Sequence, residues 1–99
     1  MARILLAEDE DVLRMLVLDT LEDEGYTIDE ATDGDEAYQK IMSQHYDLVL
    51  LDYMMPGMTG IEVIEKVRRH PDKQNLKIMM LTAKSQQSDR ERAEEIGAN

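Results

Sequence analysis

Three carboxylates in this sequence stand where two short apolar runs end. Glu8 and Asp9 follow the run ILLA at residues 4–7, and Asp52 follows the run LVLL at residues 48–51. A short continuous apolar run is typical of a strand buried on both faces of a parallel sheet, and ligands of such sheets bind just beyond the carboxyl ends of the strands. We therefore expect the three carboxylates to share one crevice. Because they repel one another and offer oxygen ligands, they favour a hard cation such as Mg²⁺.

A hydroxyl group is predicted at the same edge of the sheet. Thr82 directly follows the next apolar run, IMML at residues 78–81. An acidic nucleophile, carboxylates that hold a metal ion and a hydroxyl that can donate to an oxygen are the parts of a phosphoryl-transfer site. The expected product is an aspartyl phosphate.

Part of the acidic cluster has an alternative explanation that is purely structural, namely helix capping. Glu8, Asp9 and Asp11 precede a predicted helix, and carboxylates at a helix N-terminus accept hydrogen bonds and complement the helix dipole. Such capping would explain Asp9 or Asp11 alone. It does not explain Asp52, because the next helix is predicted to begin several residues later.

The composition indicates one acidic domain. The chain has 99 residues and a formal net charge of −11, which argues against a face that binds the phosphates of DNA or RNA. Cysteine is absent from the sequence, which excludes disulfides and thiolate metal sites. Neither a long apolar segment nor a signal-peptide pattern is visible, so we expect a cytoplasmic protein without membrane contact.

Apolar runs alternate with helical periodicities along the chain, and this pattern predicts βαβ units around a parallel sheet. The predicted strands are residues 3–7, 26–31, 48–51 and 77–81, and the predicted helices are residues 11–24, 34–43, 60–69 and 86–96. Asp33 with Glu36 and Thr59 with Glu62 are candidate capping boxes at two of the helix starts.

The first predicted helix carries more apolar surface than one sheet face can cover. Helical spacing predicts a stripe that packs on the sheet, formed by Leu13, Leu16, Val17, Thr20 and Leu21. Met15 and Leu18 project roughly opposite to this stripe, and Val12 lies to one side. We therefore expect a further element or partner to pack on this helix.

Three segments carry a resemblance to a known family. They are ILLAEDE at residues 4–10, DLVLLDYMMPGMTG at residues 47–60 and IMMLTA at residues 78–83. In this order they resemble the receiver domain of bacterial two-component response regulators. The resemblance implies a doubly wound, flavodoxin-like α/β fold that takes a phosphoryl group from a sensor histidine kinase or a phosphotransfer protein. It also implies self-catalysed acceptance and hydrolysis, without turnover of an external substrate.

The resemblance assigns roles to individual residues. Asp52 would be the phosphoacceptor, and Mg²⁺ would be bound by Asp9, Asp52 and the backbone carbonyl of Met54, with Glu8 acting through metal-bound water. Thr82 would be the switch hydroxyl. The rim of the phosphoryl site would include Met54, Ala83 and Lys84.

The sequence departs from the family pattern at its C-terminal end. Family members continue past the equivalent of Asn99 into a fifth strand, which ends in a site lysine, and a fifth helix. We therefore expect residues 1–99 to form a C-terminally truncated receiver domain with strand order 2-1-3-4. We also expect homo-oligomers through the exposed edge of the fourth strand and the first helix. The alternative function is a non-phosphorylated, receiver-like scaffold for protein assembly.

Overall fold

The computed structural model of this chain describes residues 2–81, which alternate between strands and helices. The strands are β1 (Arg3–Ala7), β2 (Thr27–Ala31), β3 (Leu48–Asp52) and β4 (Ile78–Leu81), and the helices are α1 (Asp11–Asp23), α2 (Gly34–Ser43) and α3 (Gly60–Arg68), followed by a 3-10 turn at Pro71–Lys73. Each predicted boundary in this part of the chain is within one residue of the observed one. The predicted helix at residues 86–96 lies outside the described residues.

The four strands form one parallel sheet in the order β2-β1-β3-β4, which confirms the predicted order and fold class. β1 lies in the middle of this order, with Ala7 paired to Ala31 of β2 and to Leu51 of β3. The chain moves outward from β1 to β2 in one direction and from β3 to β4 in the other. The sheet therefore has its topological switch point between β1 and β3, where open α/β sheets bind ligands.

Helices cover both faces of the sheet. α2 and α3 pack on one face, where Leu5, Val49 and Leu51 of the strands meet Ile41 and Ile64 in the larger apolar cluster. α1 covers the other face over a smaller cluster around Ile4, Leu6 and Leu50. None of the helices in residues 2–81 has the length and apolar character needed to cross a bilayer.

The predicted packing face of α1 is wrong for three residues. Leu16 is 61 % exposed and Thr20 is exposed, whereas Leu18, which we placed on the opposite side, packs against the sheet with Val17 and Leu21. The reason is visible in the spacing, because Arg14, Val17, Leu18 and Leu21 follow the i, i+3, i+4, i+7 pattern of one helix face. The stripe of α1 that faces the sheet begins with a charged residue, so the apolar residues alone predicted the wrong rotation of the helix about its axis.

The expected excess of apolar surface on α1 is confirmed. Val12 is 66 % exposed and Met15 is 59 % exposed, and both lie beside the exposed Leu16. No residue of α1 is fully buried, so this helix is held less deeply than α2 and α3.

The two candidate capping boxes differ in the structure. At the start of α3, the backbone N–H of Glu62 donates to the Thr59 hydroxyl, and the backbone N–H of Thr59 donates to the Glu62 carboxylate, each at 3.2 Å. At the start of α2, Asp33 accepts from the backbone N–H of Glu36 at 2.7 Å, but the Glu36 carboxylate accepts from the N–H of Thr32 instead. The second box is therefore only half formed.

Candidate functional site

The acidic site lies at the carboxyl ends of β1 and β3. Because Ala7 and Leu51 are register partners, the residues that follow them, Glu8 and Asp52, emerge side by side at the switch point of the sheet. Asp9 follows Glu8 in the same loop. Carboxylate oxygens of these three residues all lie within 4.8 Å of one another.

Glu8 is the most constrained member of this cluster. Its side chain is buried, with 1 % of its surface exposed, and one carboxylate oxygen, Oε2, accepts from the backbone N–H of Glu10 at 3.2 Å. The other oxygen, Oε1, is buried without a hydrogen-bond partner. Burial, followed by the proximity of Asp52, raises the pKa of Glu8 to about 7. A buried oxygen with no donor is a position that a cation or its bound water can satisfy.

Asp52 ends β3 and is half-buried. Burial raises the pKa of the Asp52 carboxyl, and so does the charge of Asp9. The proximity of Glu8 and of the backbone N–H groups of Tyr53 and Met54 opposes this rise in the pKa, because these groups favour the ionised form. The net effect is a raised pKa, so the charge of the Asp52 carboxylate is poorly compensated in the metal-free site.

The loop after Asp52 is fixed by close backbone contacts with α2 and α3. The N–H of Gly60 donates to the carbonyl of Tyr53 at 2.8 Å, and the N–H of Gly34 donates to the carbonyl of Pro56 at 3.1 Å. A side chain at Gly34 would collide with the backbone of Met58, so glycine is required for this approach. These contacts hold the backbone that surrounds Asp52.

The structure brings together the predicted residues Glu8, Asp9 and Asp52. Met54 follows Asp52 by two residues and is 56 % exposed. The remaining predicted site residues, Thr82, Ala83 and Lys84, lie outside the described residues.

The capping alternative applies to Asp11 and not to Asp9. The N-cap residue of α1 is Glu10, whose side chain makes no capping bond, while Asp11 lies in the first helical turn. Asp9 precedes the cap position and contributes to the acidic cluster instead.

Sequence reasoning missed Arg14, which contacts the site through the backbone of Glu8. The Arg14 guanidinium donates to the Glu8 carbonyl at 2.9 Å and forms ion pairs with Asp11 and with Glu30 of β2. The pair with Asp11 has i, i+3 helical spacing and was visible in the sequence. The other two contacts depend on the position of β1 and β2 and could not be read from spacing.

Repulsion within the cluster gives a first prediction, for the substitution Asp9→Asn. Two unit charges about 5 Å apart repel by roughly 3 kcal/mol at an effective dielectric of about 20. Exposure of Asp9 and salt reduce this to about 1 kcal/mol. Asp9→Asn is therefore expected to raise the melting temperature in EDTA at pH 8, and the gain should shrink in excess Mg²⁺.

Asp19→Asn is the matched control for this measurement, because it removes the same charge from an exposed position on α1. Calorimetry in EDTA and in Mg²⁺ compares both variants with the wild-type chain. A lower melting temperature for Asp9→Asn in EDTA would contradict the repulsion argument.

Comparisons with known proteins identify the family that this chain resembles. The family model for the response regulator receiver domain matches residues 4–99. Among curated proteins, the transcriptional regulatory protein ResD of Bacillus subtilis is 45 % identical over 97 residues, which is 98 % of this chain and 39 % of ResD. The chain spans about two fifths of the length of the curated relatives it matches.

Solved structures show the same fold. The response regulator TrrA of Thermotoga maritima, solved in complex with Mg²⁺ and BeF, is 41 % identical with a TM-score of 0.88, covering 100 % of this chain and 83 % of TrrA. The chemotaxis protein CheY4 of Vibrio cholerae is 33 % identical with a TM-score of 0.92, covering 100 % of this chain and 82 % of CheY4.

Proposed function

Because this chain belongs to the response regulator receiver family, we propose that it is a phosphoacceptor module of a two-component phosphorelay. A sensor histidine kinase or a phosphotransfer protein would supply the phosphoryl group, and Asp52 would accept it. The observation that carries this proposal is the convergence of Glu8, Asp9 and Asp52 within 4.8 Å at the switch point of the sheet. The family match over residues 4–99 also supports a single receiver domain over residues 1–99.

The cofactor proposed for this site is Mg²⁺. Asp9, Asp52 and the backbone carbonyl of Met54 would bind it directly, and Glu8 would act through metal-bound water. The donor set consists of oxygens only, and Glu8 Oε1 is buried without a partner, both of which suit a hard cation. When bound, Mg²⁺ neutralises charge on the phosphoryl oxygens.

The chain's own residues would carry out the transfer. An oxygen of the Asp52 carboxylate attacks phosphorus, and the bond between phosphorus and the donor atom breaks as the aspartyl phosphate forms. The nearby backbone N–H groups of Tyr53 and Met54 favour the ionised form of the attacking carboxylate. Thr82 would donate its hydroxyl to a phosphoryl oxygen, and Met54, Ala83 and Lys84 would form the rim. Later hydrolysis restores Asp52, so external substrates are not turned over.

The acidic charge of the domain bears on its partners. With a net charge of −11, this domain is not expected to contact nucleic acid directly. A cytoplasmic location belongs to the same proposal.

The alternative is a receiver-like scaffold that is never phosphorylated. Beryllofluoride with Mg²⁺ mimics an aspartyl phosphate and distinguishes the two functions by NMR of the wild-type chain. A phosphoacceptor is expected to show shift changes around Asp52 that require both reagents together. Unchanged spectra with both reagents would favour the scaffold.

Self-association is the remaining part of the proposal. Within residues 2–81, β4 pairs only with β3, and Met79 of β4 is 50 % exposed. The exposed residues Val12, Met15 and Leu16 of α1 provide a second apolar surface. Burial of both surfaces between copies of the chain would remove apolar area from water and add a strand beside β4.

Sedimentation velocity is expected to show a dimer or larger oligomer at micromolar concentration. Met79→Lys should shift it toward monomer, because the new charge would be buried in the interface. Gln74→Lys adds a charge at an exposed position of the described chain and is the matched control. A monomeric wild-type chain, or equal effects of the two substitutions, would contradict oligomerisation through the strand edge.

A further inference from the structure

Arg14 joins three parts of the chain around the base of the acidic site. Its guanidinium donates to the backbone carbonyl of Glu8 at 2.9 Å, to Glu30 Oε1 at 3.2 Å and to Asp11 Oδ1 at 2.5 Å. Only 14 % of the side chain is exposed. The planar guanidinium suits this arrangement, because its donors have fixed relative directions.

These contacts fix the backbone of Glu8 from two sides. The Glu8 N–H donates to the carbonyl of Ala31 at 3.0 Å, and its carbonyl accepts from Arg14. Two further bonds hold Glu10, because its backbone N–H donates to the Glu8 carboxylate and its carbonyl accepts from the N–H of Arg14. The loop that carries Glu8 and Asp9 is therefore held between β2 and α1.

The position of Arg14 near the start of α1 is opposed by the helix dipole. A cation near a helix N-terminus opposes the helix dipole, and α1 has no side-chain N-cap bond to compensate. The inward stripe of α1 nevertheless begins with this charged residue. The i, i+3 pair with Asp11 supports the helix, whereas the contacts of Arg14 with the Glu8 carbonyl and with Glu30 reach outside α1 and orient the Glu8 loop.

We propose that Arg14 is a positioning residue that holds the Glu8 backbone so that the carboxylates of Glu8 and Asp9 face Asp52. The inference rests on the proposed function, since it assigns Arg14 a role toward the Mg²⁺ site. Residues that orient metal ligands typically change metal affinity by about 10-fold to 100-fold when they are replaced.

The test compares Arg14→Met, Arg14→Lys and the control Arg3→Met. Methionine keeps the apolar part of the side chain and removes every side-chain hydrogen bond. Lysine keeps the charge but lacks the several N–H donors of the planar guanidinium. Arg3 also pairs with a carboxylate, Asp29 at 3.2 Å, but it lies at the opposite end of β1. Mg²⁺ affinity is measured by NMR titration well below each melting temperature, with the rate of phosphorylation by acetyl phosphate at saturating Mg²⁺.

Arg14→Met is expected to weaken Mg²⁺ binding about 10-fold, with a smaller change in the rate at saturating Mg²⁺. Arg14→Lys should give an intermediate affinity, and it remains informative if Arg14→Met does not fold. A merely structural role would lower the melting temperature and leave the Mg²⁺ affinity of the folded chain unchanged.

Three outcomes would overturn the inference. The first is wild-type Mg²⁺ affinity in both folded Arg14 variants, and the second is an equal loss of affinity in Arg3→Met. Either result leaves the proposed function intact, because the wild-type chain still binds Mg²⁺ and accepts a phosphoryl group. The third is a wild-type chain that binds no Mg²⁺, which overturns the positioning role and the proposed function together.

Discussion

Asp52→Asn is expected to reduce phosphoryl incorporation from acetyl phosphate to background. The amide that replaces the carboxylate lacks the anionic oxygen that attacks phosphorus, and the proposal assigns the other two carboxylates of the cluster, Glu8 and Asp9, to Mg²⁺. Removal of this carboxylate should also weaken Mg²⁺ binding by more than about 10-fold, because a direct ligand contributes at least as much as the groups that orient it. Intact-protein mass spectrometry follows the phosphoryl group, and NMR titration follows Mg²⁺.

Asp72→Asn is the matched control, since it makes the same chemical change at an exposed position in the 3-10 turn. Its phosphorylation is expected to equal that of the wild-type chain. If Asp52→Asn still incorporated the phosphoryl group, another residue would be the acceptor. If neither the wild-type chain nor the control incorporated it, the scaffold alternative would be favoured.

Most of the fold could be predicted because local patterns and the parallel topology agree. The apolar runs that became β1 and β3 are buried on both faces, as continuous apolar strands require. Parallel pairing then fixed which strand ends meet, and this was enough to predict that Glu8, Asp9 and Asp52 would converge. The rotation of α1 was not predictable in the same way, because its inward stripe begins with Arg14.

The environment of the site required the structure. The sequence shows that Glu8 is acidic but not that the packed loop buries it while Asp9, the next residue, remains exposed. Adjacent carboxylates with opposite burial differ in how strongly water stabilises their charge. The guanidinium that supports this loop is likewise invisible without the sheet, because its acceptors are a backbone carbonyl and Glu30 on another strand.

The buried carboxyl of Glu8 leads to a prediction about pH. Its pKa is raised from the ordinary value of 4.5 to about 7, chiefly by burial. Between these two values the folded chain binds more protons than the unfolded chain, so its stability falls as pH rises. The stabilisation is fully present below about pH 4.5 and is lost as pH passes through about 7. A shift of this size corresponds to about 3 kcal/mol.

The contribution of the Glu8 carboxyl to stability is measured as the difference in free energy of unfolding between the wild-type chain and Glu8→Gln in EDTA. Glutamine keeps the shape and cannot ionise, so wild-type stability relative to this variant should fall by up to about 3 kcal/mol between pH 4.5 and pH 7.5. Glu10→Gln is the matched control, because it removes an exposed carboxylate from the same loop. A constant difference across this range would show that the Glu8 carboxyl ionises as easily as in the unfolded chain.

Saturating Mg²⁺ should remove most of this pH dependence in the wild-type chain. The cation and the proton compete for the same carboxylates, so Mg²⁺ binds more weakly below pH 7 and stabilises the ionised cluster above it. Phosphorylation of Asp52 is expected to decline over the same range as pH falls, even though the metal-free fold becomes more stable. The ionised Glu8 carboxylate destabilises the metal-free fold, yet Mg²⁺ binding requires Glu8 to be ionised. The stability of the metal-free chain and the phosphorylation of Asp52 are therefore expected to change in opposite directions with pH.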